Sequence, residues 1–472
     1  MYNKLKNFRN LSPAVKASMA LLFANLVLKG LSMISGPIFT RIMSTSEYGV
    51  VSTFMSWQSL LSTIITLNLG AGVFNNGMVE FREDRDRFQF SLIVISVTTA
   101  ISFIIVYRLF SAFFNKLFAL PANLIYLLGI YFVFVPIYGY WSGRQRYELK
   151  YKALTVITIG MGIVSLVVSV IAVIFIKSDS SAIVKIYASE IPYIILGCIF
   201  FFVIGMKAKF QAKKAYIVYS LKFNLPLLPH YLSMYVLSSS DRIMISRIIS
   251  TSATAIYSVS YTVGMVINIL WQSIEASLSP WIYEALNKNN KLGVKKRTFQ
   301  ILLIFFVACV LSCLFAPEII AILAPKEYYE GIYVIPSIAA SSFFIAAYSV
   351  YMRVELYHKQ TIFAMVATTV AAGVNLLLNY IFIRTNGFIA AGYTTLASYA
   401  ILTLMHYFNV RKCGYDDCLD NKRILVLSII VIASSSAINI VYSYNFLRYI
   451  LILIILIVCI LKHSIIIDAI KK

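Results

Sequence analysis

Lys29 lies within the apolar stretch from Ala17 to Phe39, more than two turns from either end. An uncompensated lysine at mid-bilayer costs about 2.5–3.5 kcal/mol on insertion scales, and snorkelling relieves that cost mainly near helix ends. Two readings follow. Lys29 is a cation facing an internal cavity, ready to meet an anionic group, or it is half of a structural pair with an acid on another helix, such as Glu190 or Glu275. Asp241 and Arg242 are adjacent near one end of another membrane-length segment. Neighbours on a helix point about 100° apart and do not easily neutralise each other. Each therefore needs water or another partner, which favours an aqueous cavity over interfacial anchoring. Glu275 follows Trp271 and Gln272 inside an apolar segment. A carboxylate there could carry a proton, bind a cation, or pair with Lys29 or Arg242. Arg41 and Arg247 stand at helix ends as anchors, gate residues or substrate contacts. Arg353, with Glu355, and Arg144, just after Trp141-Ser142-Gly143, stand at the opposite ends of their helices. They read as inner-mouth gate contacts or as interfacial charges.

Enzyme chemistry has no visible seat. There is no G-x-x-x-x-G-K-[ST] phosphate loop and no H-E-x-x-H pair. His230, His358, His406 and His463 are too scattered in sequence to suggest a metal set. None of the six Cys forms a C-x-x-C pair. Cys309 and Cys313 read as small packing residues, and Cys413 and Cys418 fall in a connection expected to be cytoplasmic and reducing. No cofactor, metal or catalytic residue is expected.

The elements that must position these charges are membrane helices. Of 472 residues, 60% are hydrophobic and 13% charged, too few charges to coat a soluble chain of this length. Apolar runs of 18 or more residues read as transmembrane helices, where the backbone must satisfy itself. Fourteen are expected: 14–39, 48–70, 88–111, 117–141, 153–177, 183–206, 223–247, 254–284, 298–323, 330–356, 362–384, 387–409, 424–442 and 446–467. The first exceeds a signal peptide's apolar core and reads as a retained helix. Net charge is +22, but the charges lie in short connections rather than one basic patch, which argues against nucleic acid. Thirty of the 41 Lys and Arg fall on one side of this alternation, ten on the other, and Lys29 inside a span. That bias puts both termini in the cytoplasm.

Two stretches echo each other. Leu31-Ser32-Met33 precedes Thr40-Arg41-Ile42-Met43-Ser44-Thr45-Ser46, and Leu232-Ser233-Met234 precedes Ser246-Arg247-Ile248-Ile249-Ser250-Thr251-Ser252. They are six spans apart and share an orientation. This implies an all-α protein of two parallel six-helix lobes, 1–210 and 211–410, with two added C-terminal helices in 411–472. Pro226, Pro229 and Pro280 permit bends near the start of the second lobe.

Thr40-Arg41-Ile42-Met43-Ser44 with Glu47-Tyr48-Gly49, Asn224-Leu225-Pro226-Leu227-Leu228-Pro229, Asp241-Arg242, Tyr257-Ser258-Val259 and Pro280 together resemble the Wzx-type oligosaccharide flippases of the polysaccharide biosynthesis family. These belong to the multidrug/oligosaccharidyl-lipid/polysaccharide exporter superfamily, and the resemblance covers roughly residues 14–410. It implies movement of an undecaprenyl-diphosphate-linked oligosaccharide to the outer leaflet of a bacterial plasma membrane, for O-antigen, capsule or exopolysaccharide synthesis. It implies as partners that lipid-linked oligosaccharide, membrane lipids, and a polysaccharide polymerase with glycosyltransferases. Asp241, Arg242 and Arg41 match family positions, and Lys29 sits where such flippases often carry a base. A cavity between the lobes, with cations at mid-depth, would shelter the anionic headgroup while the tail stays in lipid. A cation-coupled drug or metabolite antiporter of the same architecture is the alternative. A membrane glycosyltransferase or polysaccharide polymerase is a further one, but it would need a long outer loop that the chain lacks.

Overall fold

Ser44 and Ser250 begin their helices in the same way. The computed structural model describes residues 12–462. In it α1 (Pro13–Ile42) ends just after Arg41, and Ser44 caps α2 (Thr45–Ile65) by accepting from the Glu47 amide at 3.3 Å. Much later α10 (Leu228–Ile248) ends just after Arg247, and Ser250 caps α11 (Thr251–Met265) by accepting from the Ala253 amide at 3.1 Å. A serine three residues after each arginine satisfies one of the orphan amides of the next helix. The repeated wording thus encodes a repeated helix–turn–helix.

The described residues are all α, without strands. Lys4, Lys6 and Arg9, and His463, Lys471 and Lys472, lie outside them, as do both chain ends. As far as the described residues reach, the expected spans fall on helix, but several are broken; the 223–247 run passes through a 3-10 turn at Leu225–Leu227. The 48–70 run stops at Ile65; Leu67 and Asn68 take positive φ before α3 (Gly72–Glu80). The 254–284 run divides at Val266 into α11 and α12 (Ile267–Asn287), and the 298–323 run into α13 (Lys291–Leu314) and α14 (Ala316–Leu323), whose second residue is Pro317. Among the described residues, ten helical segments are long and apolar enough to cross a membrane. Leu228–Ile248 and Thr45–Ile65 are not among them, because they carry Ser, Thr and charge instead of continuous hydrocarbon.

The chain divides into two compact units, one running to Leu232 and one from Ser233. The division falls inside α10. The first unit continues from α3 through α4 (Arg85–Leu109), α5 (Ser111–Phe118), α6 (Ala122–Tyr147), α7 (Tyr151–Phe175) and α8 (Ser181–Lys207). The polar connection after α8 contains another helix, α9 (Lys214–Asn224), which packs on α4. Aromatic stacking holds the interior: the rings of Trp141 and Phe200 lie 4.2 Å apart. Gly197 lets α8 approach α6, since a Cβ there would sit 2.2 Å from the Phe134 carbonyl oxygen. Glu47 ties the α1–α2 turn to α8, accepting from the Ala182 amide at 2.6 Å and the Ser180 hydroxyl at 2.7 Å.

The second unit is built around α15 (Ile335–Tyr357), which is buried over most of its length. Its Ala339, Ala340, Ala346 and Ala347 are small enough for neighbouring helices to close in. Around it stand α11, α12, α13, α17 (Ile389–Lys412) and α18 (Asn421–Val441), while α16 (Thr361–Asn386) packs on α17. The last helix, α19 (Asn445–Leu461), packs on α13 and α18. Arg448 of α19 makes two bonds to Glu318, at 2.6 and 3.0 Å, and Tyr442 donates to the Cys313 carbonyl at 2.7 Å. The two C-terminal helices are therefore packed into the second unit.

Candidate functional site

In the first unit, α1, α2, α7 and α8 line an open cavity of about 290 Å³. Its walls include Ser32 and Ser35 of α1, Ser165 of α7, and Lys185, Glu190 and Tyr193 of α8. Gly162 lets the helices meet at its edge, since a Cβ there would lie 2.5 Å from Leu28. Lys185 stands 5.0 Å over the Phe39 ring and within electrostatic range of Glu190. The two charges are five residues apart on α8, about 140° around the helix, so they address the cavity from different directions. The Ser165 hydroxyl donates to the Ser189 carbonyl at 3.1 Å and keeps its lone pairs for an incoming donor.

Charge alternation counts Lys185 among the outer connections. The structure puts it in the second turn of α8 and on the cavity wall. A positive-inside count cannot separate a loop lysine from one just inside a helix. Its signal was the company it keeps: Ser189, Glu190 and Tyr193 recur at helical spacing in an otherwise apolar run. Lys29 is half-buried in the middle of α1, and its neighbours Leu28, Leu31 and Ser32 line the cavity. Arg41 is exposed at the end of α1 and donates to the Pro37 carbonyl at 2.9 Å. At the opposite end of the bundle Arg144 bonds Asp86, Glu148 at 2.7 Å and Gln89 at 3.3 Å. Burial pushes the Glu148 carboxyl up, but Lys150 and Arg144 outweigh it and hold the group below its ordinary value. Arg144 thus anchors an ion network that clasps α4 to α6.

In the second unit Asp241 is fully buried. It does not face open space: Tyr257 and Thr395 donate to Oδ2 at 2.6 and 2.8 Å, and Asn379 donates to Oδ1 at 2.6 Å. Asn379 also donates to Asn375 Oδ1 at 3.1 Å, accepts from Thr394, and Ser240 donates to Asn375 at 3.2 Å. Hydroxyls and amides from α11, α16 and α17 do the solvating that the residue pair itself cannot. Sequence reasoning missed them, although Asn375 and Asn379 stand at i, i+4 in an apolar run, on one face of α16. These oxygens are hard donors of the kind that hold alkali and alkaline-earth cations or share a proton. Among the described residues no three His, Cys, Asp or Glu gather as a metal set.

Arg242 turns away from Asp241. It donates to the Ser238 carbonyl at 2.9 Å and lies 4.2 Å over the Tyr261 ring. Arg247 is exposed beyond it. Glu275 pairs with Arg353 at 2.6 Å, a correction to the partners Lys29 and Arg242 considered from sequence. Arg353 is accordingly half-buried in an ion pair on α15. Glu355, expected at the interface, is fully buried: His406 Nδ1 lies 2.7 Å from it, and Asn409 donates to it at 2.9 Å.

A family model described as polysaccharide biosynthesis protein matches residues 14–286, more than half the chain, and one described as MatE matches residues 226–381. A Haemophilus influenzae (strain ATCC 51907 / DSM 11121 / KW20 / Rd) protein, "Lsg locus putative protein 1", is 32% identical over 90 residues. That match spans 19% of this chain and only 22% of the relative. The fold is similar to lipid II flippase MurJ in an inward closed conformation, with a TM-score of 0.68 and 16% identity, over 97% of this chain and 100% of that one. It is also similar to a multidrug resistance MATE family transporter of the MOP superfamily, inward-facing, with a TM-score of 0.61 and 13% identity, over 87% and 98% of the two chains. At such identities the likeness is one of fold.

Proposed function

Because the chain belongs to the polysaccharide biosynthesis protein family, we propose that it is a flippase for a polyprenyl-diphosphate-linked oligosaccharide. The cargo is an undecaprenyl-diphosphate repeat unit for O-antigen, capsule or exopolysaccharide synthesis. It crosses the bacterial plasma membrane by alternating access, handed over by glycosyltransferases and taken up by a polymerase. Both termini are cytoplasmic in this reading, on the strength of the thirty-to-ten distribution of Lys and Arg. Two six-helix lobes, 1–210 and 211–410, do the moving, with 411–472 added to them.

The observation that carries the reading is Lys29, a half-buried cation midway along α1. A basic side chain at that depth is expensive and marks a polar path. A lipid diphosphate is a cargo whose charge would repay it. In this reading Arg41, Arg242 and Arg247 act as contacts or gates, and Arg144 and Arg353 as inner-mouth residues. The Asp241 cluster favours a second reading, a cation-coupled drug or metabolite antiporter, since its buried oxygens suit a coupling ion. Complementation of a deletion strain separates the two. Lys29→Ala should lower surface polysaccharide severalfold while the protein still inserts at wild-type abundance; wild-type polysaccharide would remove Lys29 from the path. A deletion that left polysaccharide intact and raised sensitivity to toxic cations would favour the antiporter.

A further inference from the structure

The first unit's cavity has a polarity that Lys29 does not explain. Its volume, about 290 Å³, sits at the lower end of small-molecule sites, enough for one small ring. Its charged wall belongs to a single helix, with Lys185 in the second turn of α8 and Glu190 five residues on. Serines of α1 and α7 face them, and Tyr193 supplies an aromatic surface one turn beyond Glu190. Glu47 fixes the start of α8 through Ala182 and Ser180, so Lys185 is presented from an anchored turn.

We propose that this cavity is a binding site for a single acidic sugar residue, with Lys185 holding its carboxylate and Glu190 and the serines holding its hydroxyls. An ammonium alone would suit any anion. Here Glu190, within electrostatic range of Lys185, offsets part of the ammonium's pull on any anion, so charge alone does not hold a ligand and hydroxyls must contribute. Glu190 also accepts from hydroxyls, which a sugar supplies and a simple carboxylate does not. Serines that donate to the backbone, such as Ser165, offer lone pairs to the remaining hydroxyls. Tyr193 suits the apolar face of a pyranose ring. The ligand therefore has its charge at one end and its hydroxyls at the other. On the flippase reading, on which the meaning of this site rests, the ligand is a uronate or similar acidic sugar of the cargo, and the cavity selects repeat units that contain one.

The test is direct binding to the purified full-length protein in detergent, with D-glucuronate, D-glucose and inorganic pyrophosphate as separate probes and thermal stability as the readout. Glucuronate should bind about tenfold more tightly than glucose, the scale of one charge-assisted hydrogen bond, and more tightly than pyrophosphate. Lys185→Met should erase the difference between glucuronate and glucose, and Lys185→Arg should keep most of it. Equal binding of the two sugars by the wild-type protein would overturn the proposal without any variant. So would tighter binding of pyrophosphate, or an undiminished preference in a folded Lys185→Met protein. Binding is read without transport. A protein that prefers glucuronate but leaves surface polysaccharide unchanged on deletion keeps the site and loses the flippase reading.

Discussion

Arg353 Nη2 donates to Glu275 Oε1 at 2.6 Å, joining α12 to α15 across 78 positions of sequence. The side chains are 27% and 23% exposed, so water screens the pair only in part. Removing one partner leaves the other charge half-buried among helices. Arg353→Ala is expected to destabilise the protein by about 1–2 kcal/mol, discounted from the fully buried case for the remaining solvent. Glu275→Gln with Arg353→Gln should cost less than the two single changes added together. Chemical unfolding of the four proteins in detergent measures the coupling, and strict additivity would dissolve the pair.

Asp241 calls for a different expectation, because its donors are neutral. Tyr257→Phe removes one of three donors and should cost about 1 kcal/mol. Asp241→Ala leaves Tyr257, Asn379 and Thr395 without their shared acceptor. Stranded buried donors cost about 1–3 kcal/mol, so the alanine variant should be the less stable by at least 1 kcal/mol. Melting temperatures in one detergent give the order. A Tyr257→Phe protein less stable than Asp241→Ala would mean that the hydroxyl, and not the carboxylate, organises the cluster.

The helices and the repeat were legible because their physics is local. Apolar runs identify membrane helices from composition alone, and Arg41 with Ser44, like Arg247 with Ser250, carries its cap three residues on. The site was legible only as isolated charges. Asp241 gave no hint that Asn379 and Thr395, more than 130 residues away, would solvate it. Lys185 was hidden by the rule that made the topology readable, since counting basic residues by side treats a cavity lysine as a loop lysine. Partnerships across helices depend on which faces meet, and one apolar helix face looks like another in sequence.

A pH response is expected from the opposite end of the first unit. Burial raises the Asp84 carboxyl, but hydrogen bonds from Lys213 and Tyr216, the latter at 2.8 Å, hold it below its ordinary value. A carboxyl with a depressed folded value contributes stability that is complete above the unfolded value, about 3.9, and is lost as pH falls through the folded one. The link between the α3–α4 turn and the start of α9 should therefore hold at neutral pH and weaken below about pH 4. Melting from pH 7 down to 3 should show a decline in the wild-type protein. Asp84→Asn should start lower at pH 7 and decline less, and parallel curves would remove Asp84 from the response.

The C-terminal helices provide the last expectation. Arg448 is 3% exposed and forks onto both oxygens of Glu318, with bonds of 2.6 and 3.0 Å, while Tyr449 adds a third at 2.7 Å. Such a two-pronged charged contact is geometrically specific. Lysine keeps the charge but not the fork. Arg448→Lys should therefore cost about 1 kcal/mol, and Arg448→Ala should cost about 3 kcal/mol, because Glu318 then loses its cation. If α18 and α19 stabilise the second unit, both losses will appear in the main unfolding transition, together with a change at a fluorescent label on α13. If Arg448→Ala instead adds a separate early transition and leaves that label undisturbed, the two helices unfold on their own and the second unit stands without them.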